Sequence, residues 1–182
     1  ILEKGRQSDM IGLASNVPYR AGETCDRWLL FLEEIFLGNY DLINFIQRTV
    51  GYTMTGLTSE QCFFLCHGTG SNGKSIFFDT LEQLFGEYAG TMSFASLLET
   101  NRRGNEHSDD IASVSHARFV AVTEVSENKR LDEGRVKSLT GSDTVTARAI
   151  FGHTFTFRPQ FKLWTAFNHK PVIKGTDEGI WR

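Results

Sequence analysis

Apolar and polar positions near the start of the chain follow a helical period. From Asp26 onward two stretches have this spacing, joined at Gly38-Asn39, and their apolar positions are Leu29, Leu30, Leu32, Ile35, Phe36, Leu42, Ile43, Phe45, Ile46 and Val50. The pattern predicts two packed helices whose apolar stripes cover the core of the main domain. We therefore expect a small helical segment over residues 23–58, preceded at residues 1–22 by a linker or the tail of a preceding domain.

Short apolar runs in the rest of the chain predict buried strands. Three of them span residues 61–67, 119–122 and 161–167, and helical spacing follows the first of them from Ser75 to Phe85. Strands separated by helical segments indicate an α/β fold with a central, mostly parallel sheet. Two further β-prone runs flank the turn Phe151-Gly152-His153 and predict a β-hairpin insertion over residues 144–157. We assign residues 59–182 to this core.

Composition and cysteine usage change this picture little. The chain has 182 residues, of which 40% are hydrophobic and 23% charged, as in an ordinary globular protein. No apolar run approaches the roughly 18 residues that a membrane helix needs, so we predict no membrane partner and a cytoplasmic protein. Cys25, Cys62 and Cys66 do not suggest a disulfide framework, and we interpret Cys62 and Cys66 as small core residues rather than as metal ligands beside His67. Because the chain begins at Ile1, we interpret it as a segment of a longer protein.

Positive charge is concentrated in one part of the chain. Between Lys129 and Lys174 there are nine Lys and Arg against three acids, a net charge of +6, whereas the remainder has ten against nineteen, a net charge of −9. Such asymmetry indicates a face that meets a polyanion, with a mixed solvated surface as the alternative.

A phosphate-loop pattern is present in one run, Gly68-Thr69-Gly70-Ser71-Asn72-Gly73-Lys74-Ser75. The glycines let backbone N–H groups turn toward phosphates, and the helix that follows directs its positive end at them. Lys74 adds a mobile charge, and Ser75 supplies a hydroxyl for magnesium. Because the run lies between a predicted strand and a predicted helix, we expect ATP and Mg²⁺ to bind here.

Candidate polar groups follow the other two predicted strands. Glu124 comes after residues 119–122, where a P-loop ATPase needs an acid aimed at the metal or the attacking water. Glu127 is either a second acid or a surface charge. Asn168 comes after residues 161–167, where its amide is suited to orient water, although asparagine is also an ordinary turn residue.

The ordered set of motifs is more specific than its members. It comprises GxGxNGKS, an apolar strand ending in Glu, K-x-LTG-x-D, the hairpin, an apolar strand ending in Asn, then Pro171 and a terminal G-x-W-R. From about Tyr19 to Arg182, including GYTMTGLT at Gly51, the chain resembles the helicase module of the phage and plasmid primase-helicase family of helicase superfamily 3.

The resemblance implies an AAA+-like P-loop ATPase that forms homo-hexameric rings and threads single-stranded DNA through a central pore. It matches Lys74 and Ser75 to the Walker A pair, Glu124 to the Walker B acid and Asn168 to the strand-end sensor. It also implies that the parent chain has a primase domain and acts on replicating phage or plasmid DNA in the cytoplasm of a bacterial host.

The same resemblance assigns residues to the DNA and to the subunit interface. Lys137, Asp143 and Arg148 match the segment before and within the pore hairpin, and Arg182 is similar to the arginine that reaches a neighbouring subunit's site. The turn residues Phe151 and His153 suit stacking on DNA and donation to phosphate. The alternative is an ordinary surface hairpin, since Phe155 and Phe157 alternate as a core face would.

Two other functions stay open at this point. One is a non-helicase P-loop ATPase or small kinase, although a kinase should have a lid of arginines and only Arg102-Arg103 form a pair. The other is a noncatalytic, nucleotide-locked assembly module that binds DNA. ATP hydrolysis stimulated by single-stranded DNA separates the three.

Overall fold

Six strands make up two sheets in the structure, a computed structural model that describes residues 6, 8, 11–15, 17–99, 108–123, 130–168 and 173. The strands are β1 (Phe64–His67), β2 (Ala89–Ser93), β3 (Phe119–Thr123), β4 (Val145–Arg148), β5 (Thr154–Phe157) and β6 (Lys162–Phe167). Four of them form a parallel sheet in the order β1-β6-β3-β2, and β4 and β5 form an antiparallel hairpin. The predicted α/β class, parallel sheet and hairpin are therefore confirmed.

The helices follow the predicted pattern near the start of the chain and add two elements later. They are α1 (Asp26–Ile35), α2 (Tyr40–Met54), α3 (Lys74–Phe85), α4 (Ser108–Ser113) and α5 (Glu133–Thr140). Gly38 adopts a left-handed φ of 71° between α1 and α2, and the Asn39 side chain accepts a hydrogen bond from the Leu42 N–H as the N-cap of α2. The predicted junction is confirmed, whereas α4, α5 and β2 were not predicted.

The parallel sheet is covered on both faces. Along β3, Phe119 and Ala121 belong to a core cluster with residues of α1, α2 and α3. Val120 and Val122 belong to a second cluster, which contains residues of α4, α5 and the hairpin. Because successive side chains of a strand point to opposite faces, β3 joins the two cores, and the domain has three layers.

Trp164 on β6 is the centre of the aromatic packing under α3. Its ring centroid lies 4.5 Å from that of Phe64, 5.9 Å from that of Phe77 and 6.0 Å from that of Phe119. Its indole N–H donates to Thr53 Oγ1 of α2 at 3.2 Å, so the polar atom of this buried ring is satisfied. These contacts fix α3, and with it the phosphate-loop run, on the sheet.

The segment before α1 is partly attached to this core. The Tyr88 hydroxyl donates to Leu13 O at 3.0 Å, and Ala14 exchanges hydrogen bonds with Glu87 through both its N–H and its carbonyl. The assignment of residues 1–22 to a linker stays a prediction, but residues 13–15 lie against the turn that follows α3. In the described part of the chain, no helix has the length and apolar character needed to span a bilayer.

The cysteine interpretation holds for Cys66. Cys66 packs against the α3-side cluster, and burial raises the pKa of its thiol to about 11. Cys62 is half-buried, and burial also raises its pKa. Among the residues that the structure describes, no group of three or more His, Cys, Asp or Glu has the arrangement of a metal site.

Candidate functional site

The predicted phosphate-loop run lies between the carboxyl end of β1 and the start of α3. Two of its residues have left-handed backbone conformations, Ser71 with φ 59° and Gly73 with φ 81°. Gly73 is the N-cap of α3, and an added Cβ there would overlap Ile35 Cγ2 and approach the ring of Phe31. Glycine is required at this position for two reasons, its conformation and the close packing of α1.

Lys74 turns back into its own loop. Its ammonium group donates to Gly68 O at 2.6 Å and to Asn72 Oδ1 at 2.9 Å. A Cβ added at Gly68 would overlap the Asn72 amide, so the loop closes tightly around the lysine. At Gly70, by contrast, φ is not left-handed and an added Cβ would meet nothing within 4 Å. The protein itself gives no steric reason for glycine at position 70, and the backbone there is open to close approach by a ligand.

The start of α3 is suited to an anion. Lys74 is the first helical residue, and the first intrahelical bond runs from the Phe77 N–H to Gly73 O at 2.9 Å. The N–H groups of the first turn therefore have no acceptor within the helix, and they coincide with the positive end of the helix dipole. Ser75, in the same turn, is exposed.

Asn168 lies beside the start of the loop. The Gly68 N–H donates to Phe167 O at 3.2 Å, which extends the β1–β6 ladder by one step beyond His67. His67 Nε2 lies 3.1 Å from Asn168 O, and because a carbonyl only accepts, Nε2 carries the proton of this bond. The predicted sensor residue and the predicted loop are thus brought together, with His67 as a link that the sequence analysis missed. The position of His67 at the end of a predicted strand, next to Gly68, was the sequence feature that could have indicated it.

The structure does not describe the predicted acids or the terminal arginine. β3 ends at Thr123 and pairs with β6, so its carboxyl end is one strand farther from β1 than that of β6. Glu124 and Glu127 lie outside the described residues, as do Pro171 and Arg182. Their roles stay predictions.

The hairpin combines a packed face with an exposed tip. Val145 and Ala147 are buried and Phe157 packs against the same cluster, so one face of the hairpin belongs to the core. Phe155 is 37% exposed, while Phe151, at the tip, is fully exposed with a left-handed φ of 59°. The turn spans more residues than predicted, because β4 ends at Arg148 and β5 begins at Thr154.

Two predicted DNA-binding cations have structural contacts of their own. Arg148 Nε donates to Gly152 O at 3.0 Å and so closes the turn. Lys137 is half-buried on α5, the helix that precedes the hairpin, while His153 is exposed beside the tip. Lys162, which contributes to the predicted basic stretch, is only 2% exposed and lies at the amino end of β6. The interpretation of that stretch as one surface is therefore wrong for Lys162.

Three proteins similar to this chain have names that describe helicases. The "Putative helicase L207/L206" of Acanthamoeba polyphaga mimivirus is 30% identical over all of this chain and 19% of its own length. The "Putative helicase 022R" of Frog virus 3 is 28% identical over 75% of this chain and 14% of its own length. The "Putative helicase V13" of Sputnik virophage is 25% identical over 64% of this chain and 16% of its own length. The chain thus spans less than a fifth of the length of these relatives.

Solved structures with a similar fold include the C-terminal region of NrS-1. The apo structure of its residues 305–718 matches with a TM-score of 0.61 and 15% identity, over 85% of this chain and 37% of that one. A second apo form matches with a TM-score of 0.62 and 13% identity, over 83% and 35% of the two chains. At such low identity the likeness establishes a shared fold.

The family model described as "Family of unknown function (DUF5906)" matches residues 66–182. The match begins in β1, includes the phosphate-loop run, the hairpin and β6, and extends to the last residue of the chain. It covers more than half of the chain, which is therefore a member of the DUF5906 family.

Proposed function

We propose that this chain is the ATP-hydrolysing module of a DNA helicase. The observation that carries the proposal is the loop between β1 and α3, in which Lys74 is held at a helix N-terminus with Asn168 beside Gly68. A loop of this kind suits the phosphates of a nucleotide, and the names of the three viral relatives favour a helicase over a kinase or a noncatalytic module.

Nucleotide binding follows from the chemistry of the loop. Phosphate oxygens replace Gly68 O and Asn72 Oδ1 as partners of the Lys74 ammonium group and accept from the first-turn N–H groups of α3. Ser75 and Glu124 would hold Mg²⁺, whose charge offsets that of the phosphates. The exposed backbone at Gly70 lets the phosphates approach without displacing a side chain.

Hydrolysis needs a water molecule that is oriented against the terminal phosphate. In our proposal Glu124 accepts a proton or a hydrogen bond from this water, Glu127 has a lesser role, and the Asn168 amide holds the water or a phosphate oxygen. His67 fixes the backbone of Asn168 and so acts as a positioning residue rather than a catalytic one.

The motor proposal extends the site to DNA and to neighbouring subunits. The hairpin tip with Phe151 and His153 contacts single-stranded DNA, helped by Arg148 and Lys137, and Arg182 acts on the site of the next subunit in an AAA+-like homo-hexamer. The phage or plasmid origin, the primase domain and the bacterial host cytoplasm stay predictions. Because the three relatives belong to viruses, we propose a viral replication protein.

The deciding experiment measures ATP hydrolysis by the full chain with and without single-stranded DNA. We expect hydrolysis that rises with DNA and a Glu124→Gln variant that binds ATP but turns it over at least about a hundredfold more slowly, because the amide keeps the shape and loses the charge. Glu127→Gln, a matched change nearby, should be milder. Phosphate transfer to a small acceptor would instead indicate a kinase, and ATP binding without turnover would indicate an assembly module.

A further inference from the structure

The tip of the hairpin is hydrogen-bonded to α4, a helix distant in sequence. Asp109 of α4 accepts a hydrogen bond through Oδ1 from the Ile150 N–H at 2.9 Å, across 41 residues. Ile150 is the residue immediately before the exposed Phe151 and is itself 65% exposed. The backbone at the tip is therefore held from outside the hairpin, in addition to the Gly152 N–H to Ala149 O bond within it.

Asp110, the next residue of α4, is hydrogen-bonded to the turn after β2 rather than to the hairpin. Asp110 accepts a short hydrogen bond from the Ser96 hydroxyl, and Ser96 is fully buried in the turn that follows β2. The carbonyl of Ser96 accepts in turn from the Arg135 guanidinium of α5 at 3.0 Å. This turn lies at the carboxyl end of β2, so it is on the same carboxyl edge of the parallel sheet as the phosphate loop, with β6 and β3 between β2 and β1.

Packing makes α4 and the hairpin one unit. Ile111 and Ala112 of α4 are buried in the same cluster as Val145 and Ala147 of β4. A displacement of Ser96 or Arg135 is therefore transmitted to α4 by a hydrogen bond and from α4 to the hairpin by packing and by the Asp109 bond. In a densely packed interior such a displacement is not absorbed locally.

We propose that Asp109 and Asp110 are positioning residues that couple the nucleotide edge of the sheet to the DNA-contacting tip. The proposal rests on the proposed function. Asp110 anchors α4 to the sheet edge through Ser96, and Asp109 sets the backbone at Ile150, from which Phe151 projects. Neither carboxylate touches nucleotide or DNA. Movement at the nucleotide edge is thereby converted into movement of the tip.

The Asp109 bond is tested by amide hydrogen exchange on the full chain. In Asp109→Ala the Ile150 amide loses its acceptor and should exchange roughly fivefold faster, whereas Asp109→Asn keeps an acceptor oxygen and should exchange at nearly the wild-type rate. Asp41→Ala, an exposed acid in the first turn of α2, is the matched control. Equal Ile150 exchange in Asp109→Ala and wild type would overturn the proposal.

Coupling is tested by the ratio of ATP hydrolysis rates with and without saturating oligothymidine. Asp109→Ala and Ser96→Ala should lower this ratio toward one while the rate without DNA is kept, and Asp109→Asn should retain the ratio. An unchanged ratio, an equal loss in Asp109→Asn, or an equal fall of the DNA-free rate would each overturn the coupling.

The outcomes distinguish a failure of the proposed function from a failure of the coupling alone. If the wild-type protein does not hydrolyse ATP, or does so without response to DNA, the proposed function and the coupling fail together. The exchange rate of Ile150 still decides whether the Asp109 bond holds the tip. If stimulation is present and only the Asp109 and Ser96 variants behave as wild type, the helicase proposal stands and the coupling inference falls.

Discussion

Lys74 is a charge that the loop holds in place by two oxygen acceptors and that the core does not need. Lys74→Ala should therefore fold normally and lose at least about tenfold in ATP affinity, with turnover abolished, because the phosphate charge is no longer offset. Isothermal titration and thermal unfolding followed by circular dichroism measure the two effects. Arg48→Ala, an exposed cation on α2, is the control. Unchanged affinity and turnover in a folded Lys74→Ala protein would refute the phosphate-loop assignment.

Lys162 is a cation of the opposite kind, buried at the amino end of β6. Its ammonium group lies 3.4 Å from Thr55 O and 4.5 Å from the centroid of the Tyr52 ring. Burial is the main cause that lowers the pKa of Lys162 to about 8, the nearby Arg118 adds to it, and Cys62 acts in the opposite direction. Lys162 therefore helps to pack α2 against the sheet, while its buried charge lowers the free energy of unfolding near neutral pH.

The lowered pKa of Lys162 predicts a pH-dependent stability. The unfolded chain keeps the ordinary pKa of 10.5, so between about pH 8 and that value it binds a proton that the folded chain has lost. The contribution of Lys162 to the free energy of unfolding consequently rises with pH across this window. From about pH 7 to about pH 10 we expect a rise on the order of 2 kcal/mol, since one pKa unit is about 1.4 kcal/mol.

Lys162→Met isolates this contribution, because it keeps the apolar stem and removes the titrating group. Cys62, Arg118 and Tyr52 lie near the amine in both proteins, so their contributions largely cancel in the difference. Urea unfolding at several pH values should show wild type gaining on the variant as pH rises. A difference that does not change with pH would contradict the explanation.

At the scale of elements, the strongly buried strands were predicted from the sequence, and the weakly buried elements were not. β3 and β6 are buried along nearly their whole length, so their sequences are mostly apolar runs. β2, with the sequence AGTMS, lies at the edge of the sheet and buries fully only Met92, which leaves no alternation for a pattern to detect. α5 has a weakly apolar sequence and depends on tertiary packing of Val136 and Leu139.

In the candidate site, contiguous features were predictable from the sequence and long-range contacts were not. The loop from Gly68 to Ser75 is contiguous in sequence, so its spacing alone predicts a phosphate site. The contact between His67 and Asn168 depends on β6 lying beside β1, and strand order is not readable from a single sequence. The contact of α1 with Gly73 and the Asp109 bond to Ile150 are likewise long-range, and no local pattern indicates them.

The hairpin is the element on which DNA binding depends in our proposal. Phe151→Ala and His153→Ala should each weaken binding of single-stranded DNA by roughly three- to thirtyfold with little sequence dependence, because stacking on an aromatic face does not discriminate between bases. Fluorescence anisotropy at several salt concentrations measures this. Phe45→Ala on α2 and His116→Ala before β3 are matched controls at exposed positions.

The effect of an Arg148 variant has two causes, since the Arg148 Nε also closes the turn through Gly152 O. Arg148→Ala removes a charge and that bond together, so it should lower the salt slope by roughly one unit or less and also loosen the tip. ATP hydrolysis without DNA should survive in all three variants. Unchanged DNA affinity in a folded Arg148→Ala, His153→Ala double variant would move the DNA site away from the hairpin.

At the scale of the whole molecule, the distribution of charge bears on the proposed assembly. The net charge is −3, while the stretch from Lys129 to Lys174 has an excess of positive charge and the remainder an excess of negative charge. A head-to-tail contact between copies closes into a ring if its rotation permits, and opposite charges on the two contacting surfaces would strengthen it. The chain also spans less than a fifth of its relatives' length.

Mixing inactive subunits tests action between subunits directly. If Arg182 completes the site of a neighbour, each active site needs Lys74 from its own subunit and Arg182 from the next one. Lys74→Ala and Arg182→Ala proteins should then be inactive alone, and an equal, randomly assembled mixture should regain activity at about one quarter of its sites, since each requirement is met half of the time. Wild-type activity per subunit should rise with protein concentration until assembly saturates. A mixture as inactive as its components, together with a wild-type rate strictly proportional to concentration, would show that each site is complete within one chain.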